Sequence, residues 1–136
     1  MKKSFLILFI FLIFFVFLSC DGRLRVKGYT YNNSLINGVV SDSLFVISEK
    51  GIPINDAKIM IYNFLNNDLS IKNLNPTVIL STDSAGYFEW ETIIPPMQEF
   101  SGALVTQKNG YRNDTLYFKY KSSIKPYKFI VNLKQY

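Results

Sequence analysis

Ser81-Thr-Asp-Ser-Ala-Gly-Tyr-Phe-Glu-Trp90 reads as a tight turn that opens a strand. Asp83-Ser84-Ala85-Gly86 carries the turn. An aspartate can accept hydrogen bonds from backbone N–H groups just downstream, and glycine takes a positive φ that other residues reach only at a cost. Tyr87 to Thr92 then alternates, with Phe88, Trp90 and Thr92 on the inward face and Tyr87, Glu89 and Glu91 on the other. Aromatic side chains on an inward face bury large apolar areas. Asp83, Gly86, Phe88 and Trp90 are therefore the candidate structural turn and core, and Pro95-Pro96 stops the strand because proline donates nothing to a ladder.

The same period of two recurs on both sides of this stretch. Leu24, Val26 and Gly28 alternate with Arg25, Lys27 and Tyr29 until Asn32-Asn33-Ser34 breaks the pattern. After a turn at Lys50 to Pro53, Ala57, Ile59 and Ile61 share one face, and Lys58, Met60 and Tyr62 the other. Thr77 to Thr82, Gly102 to Gln107, Thr115 to Tyr120 and Tyr127 to Leu133 are further strands, with the Lys108 to Asp114 connection between two of them. Leu35 to Ser48 admits one or two short strands, or an apolar insertion over a sheet edge; a strand at Leu44 to Ile47 is favoured. Asn63 to Pro76 reads as a long Asn-rich surface loop with one helical turn near Leu65 to Ile71. Such loops are uncommon and often functional, so this one is a candidate contact surface. About seven short strands with turns between them predict an all-β, antiparallel β-sandwich.

The N-terminus carries an address. Lys2 and Lys3 precede an unbroken apolar run from Phe5 to Leu18, ending at Ser19-Cys20, which is the layout of a secretory signal. The run is shorter than the roughly 20 residues that span a bilayer as a helix. Phe17-Leu18-Ser19-Cys20 resembles the lipobox of bacterial lipoproteins. That resemblance implies a signal peptide at 1–19 cleaved before Cys20, lipidation of Cys20 including palmitate, a short tether at 20–23, and one domain at 24–136. It also implies a cell-envelope location with a membrane anchor, at the outer membrane on its periplasmic or surface face. An uncleaved anchor and a secreted protein with a free thiol are the alternatives.

Composition narrows the chemistry. Cys20 is the only cysteine and histidine is absent. No intramolecular disulfide, cysteine metal cluster, Ser-His pair or Cys-His pair is available, and neither a cofactor nor a metal is expected. Loss of Met1 to Ser19 leaves 117 of the 136 residues, with 13 basic against 10 acidic side chains. A dispersed charge this small gives no sign of a nucleic-acid partner.

Val26-Lys27-Gly28-Tyr29, then Gly51-Ile52-Pro53-Ile54-Asn55-Asp56-Ala57-Lys58-Ile59, then Thr82 to Phe88, Asn109-Gly110-Tyr111 and Phe129-Ile130-Val131-Asn132-Leu133 follow in order. This sequence of pieces resembles the carboxypeptidase regulatory-like domain, over nearly the whole chain after the signal. The resemblance implies a transthyretin-like (prealbumin-like) sandwich acting as a non-catalytic module. The stretch from Asn32 to Glu49 and the loop before Thr77 are longer than the family pattern.

Several sharper readings compete with plain structural ones. Asp83 with Ser84 and Glu89 could ligate calcium, but one carboxylate in a turn falls short of the six to eight oxygens calcium takes. Lys27 and Asn132, with Glu89 assisting, have the residue types of an isopeptide cross-link, yet Lys27 and Glu89 lie on the face opposite Val26 and Phe88. Tyr29, Tyr31, Tyr87, Tyr111, Tyr117, Tyr120, Tyr127 and Tyr136 could form a glycan-stacking surface, with Tyr29, Tyr31 and Tyr87 on the expected solvent side of strands, although aromatic residues are also ordinary strand formers. Glu89 and Glu91 suggest glycosidase carboxylates, although neighbouring outward positions are more simply a solvated face. The expected function is a lipid-anchored, non-enzymatic binding or scaffolding module with an envelope protein or glycan partner. The alternatives are an accessory subunit of a separate envelope enzyme or outer-membrane receptor, or a structural surface or adhesin subunit.

Overall fold

A computed structural model describes residues 22–32, 34, 36–41, 51–63, 71–96 and 98–136. The expected signal peptide, Cys20, the strand at Leu44 to Ile47 and most of the turn near Leu65 to Ile71 lie outside these residues. The strands are β1 (Gly22–Asn32), β2 (Gly38–Val40), β3 (Ile52–Pro53), β4 (Lys58–Asn63), β5 (Val78–Ser81), β6 (Tyr87–Ile94), β7 (Glu99–Gln107), β8 (Asp114–Lys121) and β9 (Tyr127–Asn132).

They form two sheets. In the first, β2, β9 and β1 lie side by side, and the far edge of β1 pairs with β6 along Gly22 to Tyr29 and with β3 at Tyr31 and Asn32. The second has the order β5-β4-β7-β8. The chain is an all-β sandwich, as expected. One pairing departs from the antiparallel rule: β1 and β9 run parallel, with Gly28 beside Phe129. The inward faces supplied by alternation meet between the sheets. Leu24, Val26, Ile59, Ile61, Phe88, Leu104, Phe118, Phe129 and Val131 form the core, and Phe118 meets Phe129 nearly edge-on at 4.9 Å, a favoured aromatic geometry.

The sequence reading needs correction at three places in this architecture. β1 begins at Gly22, inside the stretch assigned to the tether. A Cβ on Gly22 would come within 2.6 Å of the Ile94 carbonyl and 2.8 Å of Ser122, so this end of the strand is clamped, not loose. β1 also takes in Asn32, where the break is expected to begin, and Thr30, Tyr31 and Asn32 are all buried. Alternation fades there because both faces are covered. Finally, Ile52 and Pro53, expected in a turn, pair with β1 as a two-residue strand, a position where proline's missing donor faces away from the ladder.

Met60, Tyr62, Ala103 and Val105 form a second apolar cluster on the outer face of the second sheet, with Ile71 packed against it. The described part of the long loop thus folds back onto the sheet through Ile71.

Candidate functional site

The ends of the sandwich differ. At one, β1 enters at Gly22 beside the last residues of β6 and the β8–β9 connection. At the other lie the Asp83–Gly86 turn, the start of β4, the β7–β8 connection and the residues after β9.

The turn is assembled from its own sequence. The Asp83 carboxylate accepts hydrogen bonds from the N–H groups of Ala85 (2.9 Å) and Tyr87 (2.8 Å), and the Gly86 N–H donates to the Asp83 carbonyl at 2.9 Å. Gly86 has φ of 73°, and its carbonyl accepts from the Thr30 N–H at 2.8 Å. Its backbone therefore touches β1, where a Cβ would stand 2.5 Å from the Thr30 oxygen. With the Asp83 carboxylate engaged by two backbone donors, calcium is a poor second use for it. Among the described residues no three His, Cys, Asp or Glu side chains gather in one place.

Phe88 lies in the core over Gly28, its ring tip 2.6 Å from where a Gly28 Cβ would be. Trp90 behaves differently. It sits opposite Val26, is half-buried, and packs at the margin of the core. Phe88 finds an empty space above a glycine; Trp90 meets a side chain.

Thr82 is a polar anchor at the end of the expected Thr77–Thr82 strand, to which the sequence assigned no role. It is 2% exposed. Its hydroxyl donates to the Ile54 carbonyl at 2.7 Å and accepts from the Ala57 N–H at 2.9 Å, so one side chain holds the Ile54–Ala57 turn in which Asp56 has φ of 49°. Removing it strands a buried donor and acceptor. Thr82→Val should therefore cost about 2 kcal/mol in denaturant unfolding, more than an average exposed hydrogen bond.

Beside this turn lies an open cleft of about 690 Å³ lined by Asp56, Lys58, Lys108, Asn109, Tyr111 and Tyr136, among others. The Lys108 ammonium donates to the Asn55 carbonyl at 2.7 Å. The Tyr111 hydroxyl accepts from the Gln135 amide at 3.2 Å, and the Arg112 N–H donates to the Lys134 carbonyl at 2.8 Å. The result is a polar, cationic recess on the β7–β8 connection. The sequence offers Tyr111 and Tyr136 as possible glycan-stacking residues but does not group them with Asp56, Lys58 and Lys108, because the recess forms from pieces far apart in the chain.

The remaining candidates fall on the outer face of the first sheet. Arg25 reaches Glu91 at 3.0 Å and Glu89 at 3.8 Å, and Arg23 reaches Glu91 at 3.4 Å. The two glutamates are thus part of an exposed ion-pair network, of the kind that contributes little individually. Lys27 lies opposite Glu89 and beside Lys128. Asn132 pairs four residues further along β1, at Tyr31, about 13 Å away at strand rise. The Asn132 amide instead holds the backbone of Ser34. The three isopeptide candidates are not brought together.

The tyrosine surface does not form as a whole: Tyr120 lies in the core, almost fully buried, and the row on the first sheet needs correction too. Tyr29 stacks on Tyr31 at 5.7 Å and meets Tyr87 at 5.2 Å, but Tyr31 is 1% exposed and does not offer a face to a ligand. Burial, with Tyr29 alongside, pushes the Tyr31 phenol up to about 12. Burial first, then the 2.7 Å hydrogen bond to Glu89, raises Tyr87 as well. Both phenols hold their protons more tightly folded than unfolded, where a tyrosine ionises near 10. The contribution of Tyr31 to stability should be complete below pH 10 and disappear as pH rises from 10 through about 12, while that of Tyr87, raised further, is lost at still higher pH. Absorbance titration of tyrosinate, with Tyr31→Phe removing one late-titrating group, checks this.

Fold and end geometry together define a two-sheet β-sandwich with a clamped N-terminal end and a polar cleft at the other. No protein family matches the chain, and no curated protein matches it. Its fold is similar to part of the Bacillus anthracis TIE protein (TM-score 0.51, 16% identity, 84% of this chain and 17% of that one). It is also similar to 3-chlorocatechol 1,2-dioxygenase from Rhodococcus opacus 1CP (TM-score 0.51, 12% identity, 85% of this chain and 61% of that one). A chlorocatechol 1,2-dioxygenase from Pseudomonas putida follows at a TM-score of 0.46 and 13% identity. The chain spans less than two thirds of each neighbour's length, and at such identities the likeness is one of fold alone.

Proposed function

We propose that this protein is a lipid-anchored β-sandwich module of the cell envelope, attached through Cys20 and acting by binding or scaffolding, not catalysis. The carboxypeptidase regulatory-like resemblance supports the same reading. The observation that carries it is the polarity of the sandwich: β1 begins two residues after Cys20, at the end of the fold opposite the cleft. An anchor at Cys20 therefore points the cleft and the Asp83–Gly86 turn away from the membrane. Lys58 and Lys108 against Asp56 favour a partner bearing carboxylate or phosphate groups, either an acidic glycan or an acidic segment of an envelope protein. A role as accessory subunit to an envelope enzyme or receptor uses the same exposed end.

Two measurements test this. Intact mass of protein extracted from membranes should show acyl chains on a chain that starts at Cys20, and Cys20→Ala should release the protein into the soluble fraction. An unmodified mass overturns the anchor. Binding of envelope glycan fragments, or of a co-purifying envelope protein, should weaken in Lys108→Glu and Tyr111→Ala. Binding unaffected by both overturns the cleft as the contact.

A further inference from the structure

The end of the sandwich where β1 enters carries exposed apolar side chains. Ile124, in the β8–β9 connection, is 93% exposed, and Ile93, near the end of β6, is 66% exposed. Neither position serves the core: Ile93 pairs with Arg23 on the outer face, and Ile124 borders a recess with Arg23, Arg25, Ser122 and Ser123. The connection is not loosely placed, because the Ser123 N–H donates to the Arg23 carbonyl at 3.0 Å and the Arg23 N–H donates to the Ser122 hydroxyl at 3.2 Å. Ile124 is thus held out into solvent beside the point where β1 enters.

Charge at this end is mixed with a small basic excess, Glu89, Glu91 and Glu99 being set against Arg23, Arg25, Lys119, Lys121 and Lys125. Arg23 and Arg25 share Glu91, Lys119 pairs with Glu99 at 3.5 Å, and the exposed Lys121 and Lys125 add further positive charge. The covalent geometry supplies the partner. Only Asp21 separates Cys20 from Gly22, and two extended residues reach about 7 Å. A fold tied that closely to an acylated residue cannot stand clear of the lipid headgroups.

We propose that this end, through Ile124 and Ile93 ringed by Arg23, Lys121 and Lys125, docks on the surface of an anionic bilayer and fixes the orientation of the domain. The apolar tips enter the interfacial layer, as the apolar faces of interfacial elements do, and the basic residues meet anionic headgroups, an attraction that salt screens. This inference rests on the anchored reading given above.

The test uses the full chain purified with its anchor and reconstituted in phosphatidylcholine vesicles with or without phosphatidylglycerol, some of the lipid carrying brominated acyl chains. The wild type, with Trp90 as its one tryptophan, sets the baseline. Ile124→Trp should add emission that shifts to the blue and is quenched by the brominated chains, whereas Tyr136→Trp, at the opposite end, should show no quenching beyond the baseline. Lys121→Glu combined with Lys125→Glu should abolish the extra quenching of Ile124→Trp that phosphatidylglycerol brings, as should high salt. If the protein's mass carries acyl chains and Ile124→Trp is quenched no more than Tyr136→Trp, the docking proposal fails and the anchor stands. If the mass carries no acyl chains, the anchor fails and the docking proposal with it. Capture of Ile124 by a protein partner would show as a blue shift without quenching and would equally overturn contact with lipid.

Discussion

Gly86→Val is expected to lower the melting temperature by roughly 10–20 °C, at about 3–5 °C per kcal/mol for a domain of this size. Two costs add. Valine at φ of 73° sits in a region that costs a branched residue about 1–3 kcal/mol. Its Cβ would also stand 2.5 Å from the Thr30 carbonyl oxygen, which must move and in doing so strain the hydrogen bond from the Ile54 N–H to that same oxygen. Overpacking of this kind costs about 1–3 kcal/mol. Gly110→Val separates the two contributions. Gly110 has φ of 83°, and among the described residues no atom beyond its chain neighbours lies within 4 Å of where a Cβ would stand, so it bears the backbone cost alone. A thermal melt in which both variants fall equally would show that the contact with β1 contributes nothing.

Phe88→Ala carries the second large effect. Truncating a fully packed aromatic costs about 3–5 kcal/mol, from lost transfer energy and an unfilled cavity. Phe88 meets the condition, being 3% exposed and seated over Gly28. Trp90→Ala should cost less, about 1–2 kcal/mol, because part of the indole stays in water and only its buried area counts. The order is the reverse of what side-chain size alone suggests. Denaturant midpoints at unchanged slope would measure both, and a larger loss for Trp90→Ala would place the tryptophan in the core after all.

The Phe88 and Trp90 pair shows where reading the chain succeeds and where it stops. Alternation correctly places both on the inward face, since side chains of a strand point to opposite sides by local geometry. How deep each one goes depends on the residue across the ladder: Gly28 opposite Phe88 and Val26 opposite Trp90. Those partners lie some sixty residues upstream, and no local pattern names them. Tyr31 is a second case. Its parity put it with Tyr29 on a wet face, yet the end of β1 is covered on both sides and the ring is buried.

The candidate site was less legible than the fold. The Asp83–Gly86 turn announces itself because its chemistry lies within four residues. The cleft takes Asp56 and Lys58 from one segment, Lys108 to Asn113 from another and Tyr136 from a third, and only folding brings them together. Thr82 was visible only as the end of a strand, and its bonds to Ile54 and Ala57 depend on the shape of a turn some twenty-five residues earlier.

What the sequence by itself determined is most of the strands and their inward faces, the turn at Asp83–Gly86 and the all-β class, because period and turn chemistry are properties of neighbouring residues. The tertiary structure alone decided the parallel pairing of β1 with β9, the depth of each aromatic, and the opposition of the clamped end to the cleft. These follow from which distant segments meet, and that is settled by the joint burial of two sheets, a sum no single stretch contains.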